Sequence, residues 1–126
     1  MKNEHIISPS APAAVGPYSH AVKAGNTLYV SGQLGVDATT GALAEGVEAQ
    51  AELALCNLRN VLEDSGYALA DVVKATVFLT DMGHFAAVNA IYAAAFGDVK
   101  PARSCVAVAQ LPKAALFEIE AIAHKG

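Results

Sequence analysis

The chain has 126 residues, enough for one domain that buries roughly two thirds of its unfolded surface. At 54% hydrophobic it is too apolar to be disordered, and much of that fraction is alanine and valine, with no tryptophan. A net charge of −4, with eight Lys and Arg residues scattered singly from Lys2 to Lys125, leaves no basic stripe for a row of phosphates and speaks against nucleic acid as a partner.

No stretch of about 18 uninterrupted apolar residues occurs, so no membrane span is expected, and Met1 to Ser10 lack the pattern of a signal peptide. Cys56 and Cys105 stand far apart and outside any CxxC or Cys/His spacing, which fits a reducing cytoplasm. The expectation is a soluble, cytoplasmic, single-domain protein.

Residues 8–17, rich in serine, proline and glycine, read as an extended opening that packs over the domain. Two strands follow, over 18–24 and 27–33, joined by a tight turn at Gly25-Asn26. Residues 35–46 read as a surface loop turning at Thr40-Gly41. Between 47 and 64, Val47, Ala51, Ala54, Leu55, Leu58, Val61 and Leu62 recur at helical steps and form one apolar stripe, with Gly66 beyond as a left-handed stop.

Residues 72–80 alternate as a strand, placing Val73, Ala75, Val77 and Leu79 on one face and Val72, Lys74, Thr76, Phe78 and Thr80 on the other. Asp81 is the expected cap of a second helix over 83–96, with Phe85, Val88, Ile91, Tyr92 and Phe96 inward and Gly97 ending it. Strands over 103–109 and 116–124 complete a β-β-α-β-α-β-β order, and the β-α-β unit calls for a parallel pair. Two helices cover only one face of such a sheet. The open face then carries Phe78, Cys105, Ala107 and Ala109, which points to an oligomer that buries it, a wrong assignment of the faces being the alternative.

Dinucleotide, phosphate-loop, nucleophile-elbow and zinc-protease motifs are missing, and His5, His20, His84 and His124 have no ligand spacing and read as surface or loop residues. No metal is expected. Pro101-Ala102-Arg103-Ser104-Cys105-Val106-Ala107 is the informative segment. Arg103 leads a face of small side chains, where a guanidinium is costly unless an anion meets its planar fork, and a carboxylate fits that fork through two parallel hydrogen bonds. A strand-end arginine paired with a local acid explains the segment equally well.

In the last strand, Glu118 and Glu120 alternate with the inward Phe117, Ile119 and Ala121, and are expected on the face that Arg103 occupies. One of them could orient water or shuttle a proton; a structural Arg–Glu pair or two solvated edge glutamates are the alternatives. Cys105 reads as a small buried hydrophobe rather than a nucleophile, because no histidine is placed to activate it. Tyr18 can cover a pocket wall, Ser31-Gly32-Gln33 ends the second strand with an accessible backbone at Gly32, and Asn89 sits mid-helix, where asparagine is unfavourable.

Along nearly its whole length the sequence resembles the Rid (reactive intermediate deaminase, YjgF-like) family. The resemblance rests on residues 11–18 (APAAVGPY), Ser31-Gly32-Gln33, residues 72–79 (VVKATVFL), residues 85–92 (FAAVNAIY), residues 101–106 (PARSCV), Leu111-Pro112-Lys113 and residues 118–123 (EIEAIA). It implies an α+β, chorismate-mutase-like subunit with two helices on one face of a mixed sheet, assembled as a homotrimer with sites between subunits. It also implies cofactor-free hydrolysis of enamine and imine intermediates, such as 2-aminoacrylate and 2-aminocrotonate, to 2-keto acids and ammonia. By matched position Arg103 would bind the substrate carboxylate and Glu118 would position water. Gly32 and Cys105 would contribute backbone contacts, and Tyr18, Ser31 and Asn89 would line the pocket.

The chain departs from the pattern in having only Gly97-Asp98-Val99-Lys100 between Phe96 and Pro101, where close relatives often carry a longer loop with an aromatic residue before the proline. The short charged form also occurs in a branch linked to pyrimidine breakdown. Two other functions stand beside it: a non-catalytic 2-keto-acid-binding or chaperone-like trimer using the same cleft, and an endoribonuclease, a label attached to some relatives. The acidic charge and the lack of paired histidines weigh against the latter.

Overall fold

A computed structural model describes residues 2–126. Its strands are β1 (Glu4–Ile6), β2 (Ala21–Ala24), β3 (Thr27–Leu34), β4 (Val72–Leu79), β5 (Ala102–Ala107) and β6 (Phe117–His124), with helices α1 (Val47–Asp64) and α2 (Phe85–Phe96). The strands form one mixed sheet in the order β1-β2-β3-β6-β4-β5, in which only β4 and β5 run parallel. The parallel pair and the α+β class are those read from the sequence.

The whole α1 stripe is buried, as its periodicity requires, together with Gln50 and Asn57, whose amides are met by backbone. The Asn57 amide donates to the Leu34 and Val36 carbonyls at 2.9 Å each, and Gln50 ties Ala44 to Leu116. These polar anchors lock α1 to the end of β3, where Gly35 lies so close to the Gln50 backbone that a Cβ would stand 2.5 Å from its Cα. Gly25, Gly66 and Gly97 adopt positive φ at the turn and helix ends expected of them.

Asp81 accepts a hydrogen bond from the Gly83 amide at 2.8 Å, but a single 3₁₀ turn over Met82–His84 precedes α2, so the α-helix begins two residues later than its apolar pattern suggests. Val88, Tyr92 and Phe96 enter the core, with Phe85 and Ile91 packed against it. Both helices lie on one face. The core between them and the sheet holds Leu28, Val30, Ala75, Val77, Leu79, Phe117, Ile119, Ala121 and Ala123.

Several local expectations are corrected. The opening segment does pack down through Ser8 and Ala11, but it is preceded by β1, a three-residue strand too short and polar to announce itself. Tyr18 lies ahead of β2, which starts at Ala21. The register slips between Val72 and Lys74, so Val72 is buried and Val73 exposed, the reverse of strict alternation. β5 spans 102–107, leaving Ala109 outside it. His20 is buried rather than superficial: its Nδ1 accepts from the Ser8 amide at 2.8 Å and its Nε2 donates to the Pro12 carbonyl at 2.7 Å, fastening the opening segment.

Candidate functional site

β5 ends the sheet, so one of its backbone edges has no strand beside it. The parallel register sets Arg103 beside Ala75 and Cys105 beside Val77, and both of those β4 residues face the helices. Arg103 and Cys105 therefore lie on the helix side, not on the open face expected for them. Alternation orders the faces within a strand, but the register between β4 and β5 decides which face is which.

The Arg103 guanidinium is held against α2. It donates to the Asn89 carbonyl oxygen (Oδ1) at 2.8 Å and lies 4.8 Å from the Tyr92 ring centre and 5.5 Å from that of Phe85. All three partners are neutral, so they orient the charge without neutralising it. The role of the mid-helix asparagine becomes clear here, since an exposed polar side chain on α2 supplies the fork with its local acceptor. Beneath the guanidinium the Tyr92 hydroxyl is buried and without a hydrogen-bond partner among the described residues, and burial pushes its phenol pKa up while Arg103 opposes the shift. Asn89, Tyr92, Lys100 and Arg103 share a cleft of about 370 Å³.

Cys105 packs against the core. Burial raises its thiol pKa and outweighs the opposing pull of Arg103, so the thiolate is disfavoured. That environment suits a packed side chain with an accessible edge backbone rather than a nucleophile.

A second constellation occupies the opposite face of the sheet. Pairing between β3 and β6 steps from Val30 opposite Ala121 to Gln33 opposite Ile119, so Ser31 and Gly32 form a bulge facing Glu120. Gly32 is thus inside a strand that runs to Leu34, not at its end. A Cβ on Gly32 would collide with the Glu118 carboxylate, whose Cδ would be 2.8 Å away; only glycine leaves room for that carboxylate against the strand. Ser31 is turned back, its hydroxyl donating to the Ser19 carbonyl at 2.7 Å, which braces the bulge. Gly32 and the half-exposed Tyr18 also line a cavity of about 180 Å³ under the opening segment.

Burial raises the Glu118 pKa, and the neighbouring Glu120 charge raises it further. A carboxyl so placed takes and returns a proton more readily than a solvated one. The sequence-derived residues thus fall into two groups, Arg103, Cys105 and Asn89 on the helix side and Glu118, Gly32, Ser31 and Tyr18 around the bulge. Lys100 and Tyr92, which share the Arg103 cleft, had not been singled out. Among the described residues no group of three or more His, Cys, Asp or Glu could hold a metal ion, and no helix is long and apolar enough to cross a membrane.

The family model described as Endoribonuclease L-PSP matches residues 8–125. The chain belongs to this family, also known as YjgF/Rid. Among its Rid relatives, a 2-iminobutanoate/2-iminopropanoate deaminase of Salmonella typhimurium is 50% identical over 94% of each chain. The RutC family protein PH0854 of Pyrococcus horikoshii is 49% identical over 97% of this chain and 98% of its own length. The solved structure of E. coli TdcF with bound serine superposes with a TM-score of 0.94 at 40% identity, covering 98% of this chain and 99% of that one. Family members therefore include proteins named as imine deaminases alongside others named only for the family.

Proposed function

We propose that this protein is an imine deaminase that hydrolyses 2-imino acids, the tautomers of 2-aminoacrylate and 2-aminocrotonate, to 2-keto acids and ammonia. The observation that carries the reading is the separation of an anion-ready arginine from a proton-ready glutamate on opposite faces of one sheet. Neither constellation alone can clamp a carboxylate and deliver water to the adjacent carbon. A homotrimer in which the Arg103 edge of one subunit meets the Gly32–Glu118 bulge of the next completes the site. The deaminase name of the Salmonella relative and the serine, a carboxylate-bearing molecule, in TdcF support the same chemistry.

In this scheme the Arg103 fork binds the substrate carboxylate and fixes the imine carbon, while the edge backbone at Cys105 and the bulge backbone at Gly32 border it. Tyr18, Ser31 and Asn89 shape the walls. Glu118 takes a proton from water as the oxygen adds to the imine carbon and passes it to the imine nitrogen, giving a neutral carbinolamine. It then takes the hydroxyl proton and delivers it to the amine nitrogen, so that ammonia leaves as the C–N bond breaks and the C=O bond forms. The carbon is already electrophilic, so positioning and one proton shuttle suffice, and the scheme uses no cofactor.

The test is a coupled assay in which a dehydratase generates 2-aminoacrylate from serine or 2-aminocrotonate from threonine, and keto-acid appearance is followed. Wild type should accelerate it and Arg103→Ala should not, with the variant's assembly unchanged in light scattering. Equal rates for the two proteins would refute the proposal.

A further inference from the structure

The cleft beside Arg103 contains a second cation that the proposed reaction does not use. Lys100 lines it together with Arg103, and the rest of the lining, Asn89 and Tyr92 included, is neutral. In a chain of net charge −4, this cleft gathers two positive charges and no acid. Single-sign clefts of this kind concentrate ligands of the opposite sign.

The backbone commits Lys100 to this place. It stands immediately before Pro101 with φ at 44°, a left-handed conformation unusual for any residue but glycine. A following proline normally pushes its predecessor toward extended geometry, so the position is doubly disfavoured. Such backbone strain clusters at ligand sites. It follows from the short Gly97–Lys100 connection, which must turn from the end of α2 into β5 within a few residues.

Resting on the deaminase reading, we infer that Lys100 is a specificity residue that recognises a second anionic group, so that the cleft favours 2-imino acids bearing a carboxylate on the side chain. A monocarboxylate satisfies Arg103 and leaves Lys100 unmatched; a dicarboxylate spanning the cleft meets both. The volume of about 370 Å³ lies in the range of sites that hold molecules larger than a three-carbon acid. The buried Tyr92 hydroxyl gives the same wall an unsatisfied donor.

Stable keto acids allow the inference to be tested by binding, without turnover. Titration calorimetry would compare 2-oxoglutarate with 2-oxopentanoate, which has the same chain length and lacks the second carboxylate. Wild type should prefer 2-oxoglutarate by about fivefold, the upper range for an exposed ion pair, and the preference should shrink with added salt. Lys100→Gln should erase the preference, weakening 2-oxoglutarate binding more than 2-oxopentanoate binding, and Lys100→Arg should keep it. Arg103→Ala should weaken both ligands. No preference in wild type, a preference that survives Lys100→Gln, or a Lys100→Gln variant altered in assembly rather than in ligand choice would each overturn the inference. The deaminase reading fails separately, by absence of any acceleration of keto-acid appearance in the coupled assay while the binding preference persists.

Discussion

Arg103 and Glu118 belong to the same sheet but point to opposite sides of it: Arg103 aligns with the inward Ala75, while Glu118 aligns with Phe78 on the open face. A site using both must draw them from different subunits. Mixing inactive Arg103→Ala subunits with inactive Glu118→Gln subunits, under conditions that exchange protomers, should therefore restore activity. In a ring with one site per interface, random mixing leaves about a quarter of the sites with both native groups. Recovery to roughly that level in the coupled assay is the expected result, and no recovery despite proven exchange would place both groups in one subunit's site.

In the proposed site, removing the Arg103 fork would delete a charged contact to the substrate without emptying the core, because the side chain is only half-buried. Loss of such a contact costs about 2–5 kcal/mol in binding, so kcat/KM should fall at least about thirtyfold. Arg103→Lys keeps the charge but not the planar fork, and should recover only part of the loss.

Gly32→Ala separates stability from chemistry. The added methyl meets the flexible end of Glu118 rather than backbone, so the fold should lose no more than about 1–2 kcal/mol, at the low end of overpacking costs. The carboxylate, however, has to leave its position against the bulge. Thermal melting should show a small shift while kcat falls severalfold or more and KM moves less. A variant with native kcat would remove Glu118's placement from the mechanism.

These predictions depend on features that the sequence disclosed unequally. Arg103 was conspicuous because a guanidinium among small strand residues needs an explanation, yet its face was misassigned. Period-two alternation relates Arg103 to Cys105 but cannot relate β5 to β6; that requires the register across β4, which tertiary packing sets. The α1 stripe, with seven apolar positions in phase, was fully legible. β1 was not, since Glu4-His5-Ile6 offers one half-buried residue and no pattern. His20 sits in a turn-rich stretch where nothing local signals burial; its two partners, Ser8 and Pro12, approach only once the opening segment folds over. Gly32 was readable as a backbone-access point, but the bulge that places it against Glu118 was not, because a bulge is a property of two paired strands.

In the proposed site, Asn89 acts through Arg103. Its carbonyl oxygen is the guanidinium's hydrogen-bond partner at 2.8 Å, on an exposed helix surface where the side chain contributes little to the core. Asn89→Ala should leave melting nearly unchanged and raise KM about tenfold, the lower range for a hydrogen bond to a charged group. Asn89→Asp should behave differently, since an adjacent carboxylate competes with the substrate for the same fork. A larger KM increase for aspartate than for alanine would identify orientation of a free charge as the asparagine's role.

The Glu118 carboxyl offers a pH test with a definite sign. Burial raises its pKa in the fold, and Glu120 raises it further, above the ordinary value of 4.5. Below 4.5 the group is protonated in folded and unfolded states alike, and its contribution to stability is fully present. As the pH climbs through the raised folded value, the fold must ionise a half-buried group and stability is lost. Glu118→Gln should thus melt at a higher temperature than wild type at neutral pH, with the advantage vanishing below about pH 4. Glu120→Gln removes the smaller of the two causes while leaving Glu118 in place. If ionised Glu118 is the base, the acid limb of the kcat/KM profile should shift to lower pH in that variant, with the plateau unchanged. An acid limb that stays where it is in Glu120→Gln would mean that some other group governs the proton transfer.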